Sequence, residues 1–187
     1  MSGGHLERGD PGYAVYLGVF YACMAMMGSI GIYGIAEMHA EWASTGRYVV
    51  GETLVEVEVP FENFAKLSTW LFFSGIVGWY CVSRIGWRRT VAGKIGGRRM
   101  ALLQLMLVGL AAVCLYEVLW TFTVLNAKIA AGVAGGAVPD IDALYVAYPD
   151  PSRPWNLIFA TKSFLAAFVV CAHALYLSTR PRKPAAG

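Results

Sequence analysis

Residues 100–125, MALLQLMLVGLAAVCLYEVLWTFTVL, carry a single full charge, Glu117, and residues 157–178, LIFATKSFLAAFVVCAHALYLS, carry only Lys162. Runs this long and this apolar cross a hydrocarbon core of about 30 Å as helices rising about 1.5 Å per residue. Two further runs precede them, at about 13–36 and 64–83. Together they predict an all-α membrane protein, a four-transmembrane-helix bundle in which residues 1–187 form one polytopic domain. The first run is too long, and its start too weakly basic, for a cleavable signal peptide, so it is expected as a mature helix.

Composition agrees. The chain is 57% hydrophobic and only 14% charged, with mean hydropathy +0.53, whereas a soluble domain carries roughly 25% charged residues. Cys23, Cys81, Cys114 and Cys171 all fall in or at the edge of the runs, and none forms a C-x-x-C pair. They read as small buried hydrophobes rather than as a disulfide framework or a thiol-redox motif.

The charges outside the runs are sorted by sign. RIGWRRTVAGKIGGRR, residues 84–99, is basic without an acid, and Arg180, Arg182 and Lys183 follow the last run. The other two connections are acidic, with Glu41, Glu52, Glu56, Glu58 and Glu62 in one and Asp140, Asp142 and Asp150 in the other. The positive-inside rule then sets both termini in the cytoplasm, in a prokaryotic-type cytoplasmic membrane, with the two acidic loops outside. Arg84, Arg88, Arg89, Arg98 and Arg99 are expected to touch anionic lipid headgroups and to set topology, not to bind nucleic acid. The tryptophans fall mainly toward the ends of the runs, as interfacial anchors do.

In Thr53-Leu54-Val55-Glu56-Val57-Glu58-Val59 the valines alternate with Leu54, Glu56 and Glu58. That period of two predicts a short β-strand in the first outer loop, with Arg47–Val50 as a hairpin partner. Before the fourth run, YPDPSRPWN is rich in turn residues and leaves Asn156 as a helix N-cap. The first run carries Ala14, Gly18 and Ala22, then Gly28, Gly31 and Gly34. Small residues at such spacing let helices approach closely, either within the bundle or against another subunit.

Glu117 and Lys162 are the principal candidate site. A charge inside the hydrocarbon region costs at least about 2.5–3.5 kcal/mol, so it is normally paired or faces protein or water. Counted along their helices, the two fall at similar depth. Three readings follow: an intramembrane ion pair, a carboxylate in a proton path or substrate site, or a snorkelling Lys162 with Glu117 meeting a partner subunit. Gln104, Tyr116 and Tyr33 are further polar groups near or within the core that need hydrogen-bond partners.

Glu37-Met38-His39-Ala40-Glu41 is the one metal-like cluster. On a helix Glu37 and Glu41 share a face while His39 points away, so Glu37, His39 and Glu41 would need an irregular turn or outside ligands to hold copper or zinc. His39 and His173 should lie near opposite membrane faces, which excludes a bis-histidine haem within the chain. No cofactor is expected of the chain alone, and a metal or haem shared with a partner subunit stays open, the haem through His173. No phosphate loop or nucleophile–base pair is present. The leading expectation is a non-catalytic subunit of a larger integral-membrane complex, of a redox or energy-converting kind, with other membrane subunits and the bilayer as partners. The alternatives are a small oligomeric transporter or channel lined by Glu117 and Lys162, and a membrane enzyme with a metal site at the outer face.

Overall fold

The computed structural model describes residues 6–46, 49–62, 64–85, 95–136 and 155–179. They form α1 (Tyr13–Thr45), α2 (Glu52–Glu56), α3 (Leu67–Arg84), α4 (Gly97–Ala134) and α5 (Leu157–Thr179). The long helices are apolar nearly all round, the pattern of a segment solvated by lipid rather than by water. Lipid offers the backbone no hydrogen bonds, so such runs close their own ladders as helices. Among the described residues, α1, α4 and α5 are long and apolar enough to cross a membrane. This is the architecture of an integral membrane protein. The shorter α3 falls outside that set, its eighteen residues including Ser68, Thr69, Ser74, Ser83 and Arg84.

Side-chain contacts fix how the helices run. Gly78 approaches Cys23 and Ser74 donates to the Met26 sulfur, which sets α3 antiparallel to α1. Lys162 meets Ser68 and His173 meets Trp79 with the same offset of 94 residues, so α5 runs parallel to α3. Thr161 meets Thr121 and Ser178 meets Gln104, so α4 is antiparallel to α5. The packing order is α1, α3, α5, α4.

The four-helix bundle expected from the sequence is not confirmed: among the described residues the helices pack in a row, with α1 and α4 at its two ends. In lipid no hydrophobic force draws helices together, so they join where small or polar groups meet. The buried positions of α3 are all small: Ser68, Ser74, Gly78, Cys81 and Ser83. The remaining faces of α1 and α4 expose Val15, Ile32, Leu105, Val113 and Leu119, and nothing in the chain covers them among the described residues. The expected boundaries also move. The helix of the first run continues to Thr45 rather than Ala36, and that of the third spans Gly97–Ala134 rather than about 100–125.

The predicted strand over Thr53–Val59 is replaced by a single helical turn, and no strand occurs among the described residues. Gly51 bends the chain with φ +85°, and α2 then packs against the flank of α1 at Gly34 and against α3 and α5. Leu54 seats on Gly34 and Val55 beside it is fully buried. Two consecutive buried side chains suit a plug set among three helices, whereas an exposed strand buries every second residue. The extended pairings that remain are single bridges, Val50 with Trp155 and Glu58 with Lys66. The proposed hairpin partner lies partly outside the described residues, at Arg47 and Tyr48.

Asn156 caps α5 as the sequence predicts. Its Oδ1 accepts from the backbone N–H of Ile158 (2.9 Å) and Phe159 (3.2 Å), and its Nδ2 donates to Glu52 (3.0 Å). Its own backbone N–H donates to the Val50 carbonyl (2.9 Å). One buried side chain thus starts a helix and fastens the α2 plug to it. This end of the row is called the capped end below; the other, carrying Arg84, Arg98 and Arg99, is the basic end.

Candidate functional site

Polar contacts along α5 occur at successive levels of the row, and its middle helices hold most of them. One turn below the cap, the Thr161 hydroxyl donates to Thr121 Oγ1 (2.9 Å), and Thr121 in turn donates to the Glu117 carbonyl (2.6 Å). Thr121 is fully buried. Thr121 thus satisfies its hydroxyl on backbone while accepting from Thr161, a bridge from α5 to α4 that leaves neither hydroxyl unsatisfied, as polar groups in lipid require.

Lys162 is the next residue along α5, turned about 100° round the helix from Thr161. Thr161 takes the place facing α4, so Lys162 projects toward α3. Its ammonium donates to Thr69 Oγ1 (2.8 Å) and Ser68 Oγ (3.2 Å) in the first turn of α3. Ser68 is almost completely buried. Lys162 lies about 9 Å along the helix from Asn156, and its head reaches back toward the capped end at the level where α3 begins.

Glu117 sits one turn from Thr121 on α4, on the face turned to α5, and is half-buried. The structure thus brings Lys162 to two hydroxyls on one side of α5 and leaves Glu117 on the other. No Lys162–Glu117 contact within ion-pair distance occurs among the described residues, where Lys66–Glu58 is the salt bridge. Lys66 also donates to the Glu56 carbonyl (3.4 Å), so the start of α3 is pinned to the plug that covers it.

Toward the basic end, Trp79 Nε1–H donates to His173 Nδ1 (2.9 Å), with the rings edge to face and Tyr176 stacked on the imidazole. Gln104 donates to the Ser178 carbonyl (3.3 Å). Of the other polar groups singled out in the sequence, Tyr116 stacks on Trp120 with its ring largely exposed, and Tyr33 is exposed on α1.

Glu37, His39 and Glu41 all lie on the continuous α1 helix, His39 exposed with its ring against Trp42. Among the described residues no group of three or more His, Cys, Asp or Glu is placed to hold a metal ion. Arg88, Arg89, Asp140, Asp142 and Asp150 lie outside the described residues.

Sequence reasoning found Lys162 and missed its partners. Ser68 and Thr69 are adjacent hydroxyls at the start of an apolar run, and that pairing was the available signal. Trp79 reads as an interfacial anchor from its position alone, and only the packing of α3 on α5 reveals its bond to His173. Comparison with protein-family models, with curated proteins and with solved structures finds no match to this chain.

Proposed function

We propose that the chain is a non-catalytic subunit of a larger integral-membrane complex, with α3 as a fourth crossing and both termini in the cytoplasm. The observation that carries the reading is the open row. Its two outer helices keep uncovered faces that combine large apolar side chains with small residues suited to close helix contact. Gly18, Gly28 and Gly31 on α1 and Gly109 on α4 each face open space. The exposed faces also carry the phenol rings of Tyr21 and Tyr116, whose hydroxyls are better satisfied by protein than by hydrocarbon.

The fourth crossing follows from the company α3 keeps. It lies between α1 and α5 and is parallel to α5. Its length of about 27 Å nearly matches the hydrocarbon thickness of about 30 Å. Its first turn is covered by the plug, and its last carries Arg84. Arg84, Arg98 and Arg99 at one end, against Glu52, Glu56 and Glu58 at the other, orient the basic end inward.

Purification of the full chain in mild detergent tests the first claim: stoichiometric membrane proteins are expected to accompany it. Recovery as a monomer or as a homo-oligomer alone would reject it. For topology, a cysteine introduced at Ser44 should react with an impermeant maleimide in intact cells, and one at Arg98 only after permeabilisation. The reverse pattern would invert the orientation.

A further inference from the structure

The indole Nε1–H of Trp79 has no capacity to accept a hydrogen bond. Its contact with His173 Nδ1 therefore requires an unprotonated Nδ1, and a neutral imidazole so held carries its proton on Nε2. That orientation decides what His173 can do. A nitrogen that bears its proton is a donor, not a ligand for iron or another metal. The haem-sharing role left open by the sequence would need the opposite arrangement, with Nδ1–H donating and Nε2 bare.

His173 Nε2–H has no hydrogen-bond partner among the described residues, and the side chain is part-exposed. It lies about 9 Å along α5 from Thr179, near the basic end of the apolar run. An N–H at that depth meets lipid rather than bulk water, and leaving it unsatisfied there is costly. The surroundings suit a flat or amphipathic molecule. Tyr176, half exposed, stacks on the imidazole at 6.3 Å, and Trp79 closes the far edge.

We propose that His173, with Nε2–H aimed by Trp79 and flanked by Tyr176, binds the carbonyl oxygen of a lipid-phase molecule, either a quinone headgroup or the acyl ester of a phospholipid. Trp79 is the positioning residue. Without its N–H the imidazole is free to move its proton to Nδ1 and lose the donor. The inference concerns binding alone and does not depend on the chain being a complex subunit.

The test uses the full-length chain, with whatever co-purifies, labelled with 15N-histidine and placed in nanodiscs of ether-linked phospholipid, which lack ester carbonyls. The His173 signal is assigned by its absence from His173→Phe. Nε2 should appear protonated and Nδ1 bare, and a short-chain benzoquinone should shift the Nε2 signal saturably. Trp79→Phe should populate both tautomers and weaken the quinone response at least fivefold, while His173→Gln, which keeps an N–H donor, should retain part of the binding measured by extraction of bound quinone. If quinone is silent but exchange into ester-linked lipid shifts Nε2, the ester is the ligand. A bare Nε2 in the wild type, or a signal indifferent to both quinone and ester, overturns the proposal. The wild-type titration decides even if a variant fails to fold.

Discussion

The middle of the row and its two outer helices are built from different materials. In α3 the buried positions are all small, α5 buries Ala160 and Ala174 with Leu157 at its capped start, and Ser68, Ser83, Lys162 and His173 carry hydrogen bonds along these two helices. On α1 and α4 the uncovered faces carry large apolar side chains such as Ile35, Leu102, Met106 and Phe122. A water-soluble protein would show the reverse. In lipid, burying a leucine against another helix gains little over leaving it in acyl chains, so interiors are marked by close approach and polar satisfaction. Burial in this protein therefore points to where helices meet, and apolarity points to what surrounds them.

The sharpest break in that contrast is expected at Gly51, where the plug meets α5. A Cβ there would overlap the Phe159 ring, at a residue whose φ is +85°. Overpacking of about 1–3 kcal/mol and a left-handed penalty of about 1–2 kcal/mol give Gly51→Ala a cost of about 2–5 kcal/mol. Gly75→Ala, with nothing within 4 Å of where its Cβ would stand, is the control and should unfold with the wild type. Thermal melts in detergent would read both. Equal melting temperatures for Gly51→Ala and Gly75→Ala would mean that the plug does not hold the capped end together.

Lys162 comes next in size. A hydrogen bond from a charged group is worth about 1.5–3 kcal/mol, so Lys162→Met should couple by that amount to the Ser68→Ala, Thr69→Val change in a double-mutant cycle. Coupling of Lys162→Met with Glu117→Gln should stay below about 0.5 kcal/mol, as for groups that share no contact. Denaturant unfolding in micelles gives both cycles. If the second coupling exceeds the first, the two charges act as a pair through an intervening water, and α3 is a secondary partner.

The seam between α4 and α5 should respond more weakly. Thr121→Val or Thr161→Val removes one hydroxyl of a neutral bridge, and interhelical hydrogen bonds in membrane proteins average about 0.6 kcal/mol, with a maximum near 1.7. The prediction is a loss in that range for either change and no further loss for both together. Additive losses would show that each threonine acts through its own backbone acceptor and that the contact between them contributes nothing.

The parts of this fold legible in the sequence are those set by local composition. The apolar runs gave three long helices, and Asn156 announced its cap through the turn-rich segment before it. What stayed hidden depends on azimuth between helices. Thr161 and Lys162 are neighbours in sequence, yet one faces α4 and the other α3, and depth alone could not separate them. The valine–glutamate alternation misled for a related reason. A period of two puts Leu54 and Val55 on opposite faces, but both are buried together against three helices while Glu56 is exposed, the pattern of a helical turn. Open or closed packing was likewise illegible, because small residues promote contact without saying with whom.

That last ambiguity sets the smallest expected effect on the chain itself and the most informative one for its role. Gly18 and Gly28 are exposed, with nothing within 4 Å of an added Cβ among the described residues, so a leucine at either position starts from an open face. Surface substitutions of that kind change stability by no more than about 0.5 kcal/mol, and a glycine-to-leucine change inside a helix even favours the helical state. Against a second membrane protein packed on the same face, the added side chains would hold the two backbones apart. Gly18→Leu with Gly28→Leu should therefore melt like the wild type yet, if the chain is the subunit proposed above, elute in mild detergent without the membrane proteins expected to accompany the wild type. Retention of those subunits would show that this face of α1 meets lipid. The proposed interface would then be sought on α4, where Gly109→Leu poses the same question to the other end of the row.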